Sequence, residues 1–121
     1  ILEEKGFNIC VVGQKSDTTS IKQIILNCKN AIDLTDLSPP EIIYSIARKS
    51  VLIISNDTGP GHIAALSKKN ILWLGLDNQV SRSNLMKNLN SFYLLSNPID
   101  KISVSTVLKY IETNKLVDKL N

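Results

Sequence analysis

Residues 57–62 carry the side chains most able to do chemistry in this chain. They follow an apolar, β-branched run at 51–54 and precede a run at 63–66 that favours a helix. A glycine-rich turn between a strand and a helix offers backbone amides that lack intrahelical partners, and it lets a ligand approach closely. The pattern therefore predicts an anion site suited to a phosphate, made of Asp57, Thr58, Gly59, Pro60, Gly61 and His62.

Alternating strand and helix patterns position this turn. Strand patterns occur at 7–12, 31–34, 51–54, 71–74 and 92–95, and helical stripes at 21–28, 42–47 and 104–111. Short connections between such elements predict βαβ units with right-handed crossovers. The expected fold is therefore α/β, a Rossmann-like parallel sheet with helices on both faces.

Glycines follow two further predicted strands. Gly13 comes after the strand at 7–12, and Gly75 comes after the strand at 71–74. Ligands of open parallel sheets bind beyond the carboxyl ends of the strands. We therefore expect these two loops and residues 57–62 to converge in one crevice.

The composition excludes several classes of function. The 121 residues carry a net charge of +3 with no more than two adjacent basic residues, so nucleic-acid binding is not indicated. No apolar run approaches the roughly eighteen residues of a membrane span, which predicts a cytoplasmic protein. Cys10, Cys28 and the single histidine, His62, lack metal-ligand spacing, so we expect reduced thiols and no metal.

Residues 55–65 read Ser-Asn-Asp-Thr-Gly-Pro-Gly-His-Ile-Ala-Ala. This string closely resembles the donor-binding motif of the ADP-heptose lipopolysaccharide heptosyltransferases, the ninth family of glycosyltransferases. The similarity extends to the loop at 13–17, the short strand at 33–35 and the strand end at 74–75. Asp36 and Leu76 depart from it, standing where the family usually has glycine and proline.

The resemblance implies a bacterial, inverting glycosyltransferase of GT-B architecture, in which two Rossmann-like domains face each other. It implies that Thr58 and Gly59 contact the diphosphate of a nucleotide-sugar, that Asp57 and His62 lie by the sugar and phosphates, and that Asp17 reaches the ribose. Donor binding would thus involve residues 57–62 together with Gly13 and Asp17. No metal cofactor is implied, and the nucleotide-sugar is a substrate.

Residues 1–6 lack an initiator Met and resemble the last turn of a helix capped by Gly6. We therefore expect residues 1–121 to be a single, N-terminally truncated nucleotide-sugar-binding domain. By resemblance, the absent N-terminal domain would hold the glycolipid acceptor and the catalytic base, so this fragment would contain no catalytic residue and would bind without turnover. A glycolipid acceptor is compatible with peripheral association of the protein with the inner face of the membrane.

Other interpretations of these residues remain open. The turn at 57–62 can be purely structural, Asp17 and Asp36 can cap local backbone, and Trp73 and Tyr44 are expected to fill the core. The domain can also be a non-catalytic nucleotide-binding or regulatory module. A remote alternative is a retropepsin-like aspartic protease, which carries an Asp-Thr-Gly string like Asp57-Thr58-Gly59 and would require a nearly all-strand fold.

Overall fold

The computed structural model describes residues 1–80 and 89–118. The chain divides into two compact units, Ile1–Ile43 and the part from Tyr44 onward. Each unit contains parallel strands joined through helices, which confirms the predicted α/β class. The helix that the sequence suggests around residues 85–86 lies outside the described residues.

The first unit contains a two-stranded parallel sheet. β1 (Cys10–Val11) pairs with β2 (Ile32–Asp33), and a short 3-10 helix (Lys15–Asp17) leads into α1 (Thr18–Asn27) between them. Both strands are shorter than the patterns at 7–12 and 31–34, because only two residues of each strand pair with the other strand. Helix α2 (Pro40–Lys49) includes the predicted stripe at 42–47 and starts at a proline, since the amide that proline lacks would have no intrahelical partner there.

The predicted glycine cap near the start of the chain is present. Gly6 has a φ of +92°, and the amides of Gly6 and Phe7 donate to the carbonyls of Glu3 and Leu2 at 3.0 and 3.2 Å. This bonding pattern is that of a Schellman cap. The Glu3 carboxylate also accepts from the amides of Lys29 and Asn30, at 3.1 and 3.0 Å, and so ties the cap to the segment after α1.

The second unit contains a three-stranded parallel sheet in the order β3 (Ile53–Ser55), β4 (Ile71–Leu76), β5 (Ser91–Ser96). Helix α3 (Gly59–Ala65) connects β3 to β4, and α4 (Val104–Thr113) follows β5. Ser103 caps α4, because its Oγ accepts from the amide of Thr106 at 3.1 Å.

Helices cover both faces of this second sheet. Ile71 and Trp73 of β4 form a buried cluster with Ala65 of α3. Leu72, on the opposite face of the same strand, is buried with Ile111 of α4 and with Leu116. Successive strand residues point to opposite faces, so β4 supplies the core on both sides of the sheet.

Two predicted boundaries are wrong. Gly75 does not follow the end of a strand but lies inside β4, where it is buried and aligned with Leu95, because β5 provides pairing partners as far as Ser96. Helix α3 begins at Gly59 rather than near residue 63, because Thr58 caps it and Pro60 is compatible with a first helical turn. Residues 59–62 are therefore helical and do not form an open turn.

The two aromatic residues expected in the core differ in their burial. Trp73 is fully buried, which confirms the prediction. Tyr44 is 38% exposed, and the Arg48 guanidinium lies 5.9 Å from its ring centroid, so the prediction for Tyr44 is wrong. Tyr44 and Arg48 are one helical turn apart on α2, where such pairs face each other.

Gly61 marks the closest packing of α3 against the sheet. A Cβ built on Gly61 would lie 2.9 Å from Cζ3 of Trp73 and 3.0 Å from the Asn56 carbonyl oxygen, and closer still to Oγ of Ser55. The Asn56 oxygen is backbone and Trp73 is buried, so neither can move aside easily. The position therefore requires a residue without a side chain.

We predict that Gly61→Ala lowers the free energy of unfolding by about 1–3 kcal/mol through overpacking. Gly59 is the matched control, because a Cβ there would meet nothing within 4 Å. We expect Gly59→Ala to stay within about 0.5 kcal/mol of the parent. Urea denaturation measures both variants, and equal stability of the two would contradict this account of Gly61.

Candidate active site

The predicted motif lies at the carboxyl end of β3, at one edge of the second sheet. Asn56, Asp57 and Thr58 connect β3 to α3. Thr58 is the N-cap of α3, with extended backbone (φ −138°, ψ 162°) and with Oγ1 accepting from the Gly61 amide over a long 3.4 Å. Residues 57–62 are thus brought together by the start of one helix.

Asp57 and His62 form a direct side-chain pair. Oδ1 of Asp57 lies 2.7 Å from Nε2 of His62, and the two side chains are 29% and 33% exposed. A ring nitrogen that bonds a carboxylate carries the proton, so we assign the proton to Nε2. Nδ1 is then an acceptor in the neutral ring and a donor in the charged one.

Two backbone amides at the start of α3 have no acceptor in the part of the chain that the structure describes. They belong to Thr58 and Gly59, whereas the amides of Gly61 and His62 are bonded to Oγ1 and the carbonyl oxygen of Thr58. α3 has only seven residues, so the field of the whole helix is small. Attraction for an anion here depends on these two amides.

The other predicted site residues belong to the first unit. Oδ2 of Asp17 accepts from the Gln14 amide at 3.0 Å, and the Asp17 amide donates to the Gln14 carbonyl at 2.8 Å. Asp17 therefore caps the local backbone, the structural alternative to a ligand role. The role of Gly13 and Asp17 in donor binding, and the convergence of their loop with residues 57–62, stay predictions.

Asp36 has a structural role, but it bonds a distant loop rather than the local backbone that the sequence suggested. Its φ of 57° is left-handed, a conformation that glycine adopts more easily. The Asp36 amide donates to the Gly13 carbonyl at 2.9 Å, and its Oδ1 accepts from the Lys15 amide at 3.1 Å. The carboxylate therefore holds the loop after β1, a bond that glycine could not supply.

An open cavity of about 330 Å³ lies in the first unit. Its lining is mostly apolar and comprises Thr18, Ile21, Lys22, Ile25, Leu26, Asp33 and Thr35. Neither Gly13 nor Asp17 contributes to it. At its rim, hydrogen bonds from the Thr35 hydroxyl and then from the Thr35 amide lower the pKa of Asp33.

Several absences apply to residues 1–80 and 89–118. No three His, Cys, Asp or Glu side chains cluster there as metal ligands would, and no helix there is long and apolar enough to cross a membrane. Cys10 and Cys28 are both unpaired thiols, and partial desolvation raises the pKa of Cys10. Arg82, a loop cation considered near the diphosphate, lies outside these residues.

We predict that Thr35→Val raises the pKa of Asp33 toward its ordinary value of 3.8, because the hydroxyl bond favours the carboxylate. A depressed pKa stabilises the fold above the unfolded pKa, and this contribution is lost as the pH falls through the folded pKa. The stability difference between parent and variant should shrink over that acid range. Carboxyl-carbon NMR measures the titration, with Thr19→Val as control, and an unchanged Asp33 pKa in Thr35→Val would contradict the assigned bond.

Comparison with known proteins provides an independent line of support. Residues 1–96 match the model of glycosyltransferase family 9 (heptosyltransferase). The chain is also similar to lipooligosaccharide heptosyltransferase 2 of Haemophilus ducreyi, with 39% identity over 77 residues, covering 57% of this chain and 21% of that protein. The chain thus aligns with about a fifth of the length of this relative. No solved structure gives a significant match.

The family match covers most of the chain and includes the whole of residues 57–62. The parallel α/β architecture agrees with it, whereas an aspartic protease would require a nearly all-strand fold. The protease interpretation is therefore not favoured. By its sequence, the chain belongs to glycosyltransferase family 9, the heptosyltransferase family.

Proposed function

We propose that the natural protein carrying this chain is an inverting glycosyltransferase of GT-B architecture, and that this chain binds its nucleotide-sugar donor. The donor is an ADP-linked heptose or a close relative, and the acceptor is a lipopolysaccharide-type glycolipid. The observation that carries the proposal is the pair of open amides at Thr58 and Gly59, beside Asp57 and His62, in a member of this family.

The reaction needs a group that stabilises the leaving nucleotide diphosphate. As the acceptor hydroxyl oxygen bonds to the anomeric carbon, the bond from that carbon to the diphosphate oxygen breaks and negative charge develops on the diphosphate. The amides of Thr58 and Gly59 are fixed donors that can bond this oxygen without reorganisation. This scheme needs no divalent cation.

His62 offers a second contact to the donor. With Nε2 held by Asp57, Nδ1 can accept from a sugar hydroxyl when the ring is neutral, or donate to a phosphate oxygen when it is charged. In either state Asp57 orients the ring through the hydrogen bond of its Oδ1. Only its other carboxylate oxygen, Oδ2, is then left to contact the sugar. We assign Asp57 chiefly to positioning.

The acceptor hydroxyl must also lose its proton. By resemblance to the family, we expect a carboxylate of a separate N-terminal domain to take it. A glycolipid acceptor agrees with action at the inner face of a membrane by a cytoplasmic protein. Gly13 and Asp17 are proposed to complete the nucleoside end of the donor site.

We predict that Asp57→Ala or His62→Ala lowers the turnover of the natural protein by at least tenfold. The first change removes the bond that orients the imidazole, and the second removes the imidazole itself. Heptose transfer from ADP-heptose is the assay, and Glu112→Ala, at an exposed position on α4, is the control. Activity of either site variant within twofold of the parent would count strongly against the assignment.

Titration of the 121-residue chain with ADP tests donor binding separately from turnover. We predict amide NMR shifts clustered at 13–17 and 57–62, larger for ADP than for UDP or CDP, with a Kd near the millimolar range, equivalent to about 4 kcal/mol. No shift at these positions would mean that this chain does not hold the nucleotide. If the domain is a non-catalytic nucleotide-binding module, ADP would produce these shifts, but the natural protein would show no heptose transfer.

A further inference from the structure

Trp73 contacts the motif although it lies outside it in sequence. It is fully buried in β4, where its register partner is Ser55, the last residue of β3. The centroid of its indole lies 5.0 Å from that of the His62 ring, with 40° between the planes. Its Cζ3 is also one of the three atoms that a Cβ on Gly61 would crowd.

His62 is thereby restrained from two directions. The bond to Asp57 fixes the position of one ring atom, Nε2, but leaves the plane of the imidazole able to turn about that bond. The indole of Trp73 packs against the ring and limits this rotation. The two contacts together define where Nδ1 lies.

Trp73 is a rigid support for this purpose. It packs with Ala65 and Ile71, and its strand is paired on both sides, with Ser55 and Tyr93 as its two register partners. Its Nε1 also reaches Oγ of Ser91 at a long 3.5 Å. A side chain held in this way keeps one orientation, whereas a partly exposed imidazole alone would sample several.

We propose that Trp73 is a positioning residue of the donor site, which acts through His62 by fixing the plane of its imidazole. This rests on the proposed function, since it requires that His62 contact the bound donor. The requirement is for a flat side chain at position 73. Phe and Met are both smaller than Trp and similar to each other in size, but only Phe offers a flat face to hold the ring.

The test compares a planar with a non-planar replacement, Trp73→Phe with Trp73→Met, each with His62 present and in a His62→Ala background. Phe92→Leu is the control for lost aromatic packing, because Phe92 lies in β5 and packs in the cluster on the opposite face of the sheet. ADP is the probe, and its affinity for the 121-residue chain is measured from amide shifts. As the only histidine, His62 also gives unambiguous ring signals.

With His62 present, Trp73→Met is expected to weaken ADP binding three- to tenfold, and Trp73→Phe less than twofold. In the His62→Ala background the change from Trp to Met is expected to alter affinity less than 1.5-fold. Phe92→Leu is expected to leave ADP affinity and the His62 ring signals as in the parent. In the parent, ADP should shift the Nδ1 resonance of His62.

Equal losses from Trp73→Met in both backgrounds would overturn the proposal, because Trp73 would then act through the core rather than through His62. So would a Trp73→Phe loss as large as that of Trp73→Met. A different pattern, in which His62→Ala leaves ADP affinity unchanged, would overturn the donor-site role of His62 itself. If Trp73→Met does not fold, Trp73→Leu replaces it, and an unmoved Nδ1 resonance in the parent would still refute the proposal.

Discussion

The candidate site depends on the absence of a side chain at Gly61. Because Gly61 has no Cβ, the first turn of α3 lies directly on the indole of Trp73 and beside Ser55 and the Asn56 carbonyl. That approach sets the position of Thr58 as the cap and of His62 one residue further along the helix. The Asp57–His62 pair and the open amides follow from the same close packing.

A second constraint acts within the first unit. There Asp36 adopts a left-handed backbone conformation and is bonded to both ends of a short segment, the carbonyl of Gly13 and the amide of Lys15. The conformation is costly for a side chain that has a Cβ, and two hydrogen bonds offset part of that cost. In both units a backbone position with an unusual steric requirement determines the shape of a loop at the end of a strand.

The sequence predicted the parallel α/β class, the helix over 42–47 and the cap at Gly6, because each depends on local periodicity or on a local hydrogen bond. It misplaced Gly75, whose inclusion in β4 depends on pairing with β5, a partner that no local pattern reveals. The contact of Asp57 with His62 was also hidden, because five residues is not a helical spacing and the extended Thr58 backbone creates it. Trp73 was recognised as core, but its contact with His62 follows from the register of β3 with β4.

The division of β4 between its two faces has an evolutionary consequence. Ile71 and Trp73 face α3, while Leu72 faces α4, so consecutive positions of one strand pack against different helices. Substitutions on the α4 face can change thermal stability and leave the candidate site untouched, whereas substitutions on the α3 face also alter the packing beneath that site. Alternate residues of a single buried strand are therefore expected to evolve under different constraints, one set from the candidate site and the other from the core beneath α4.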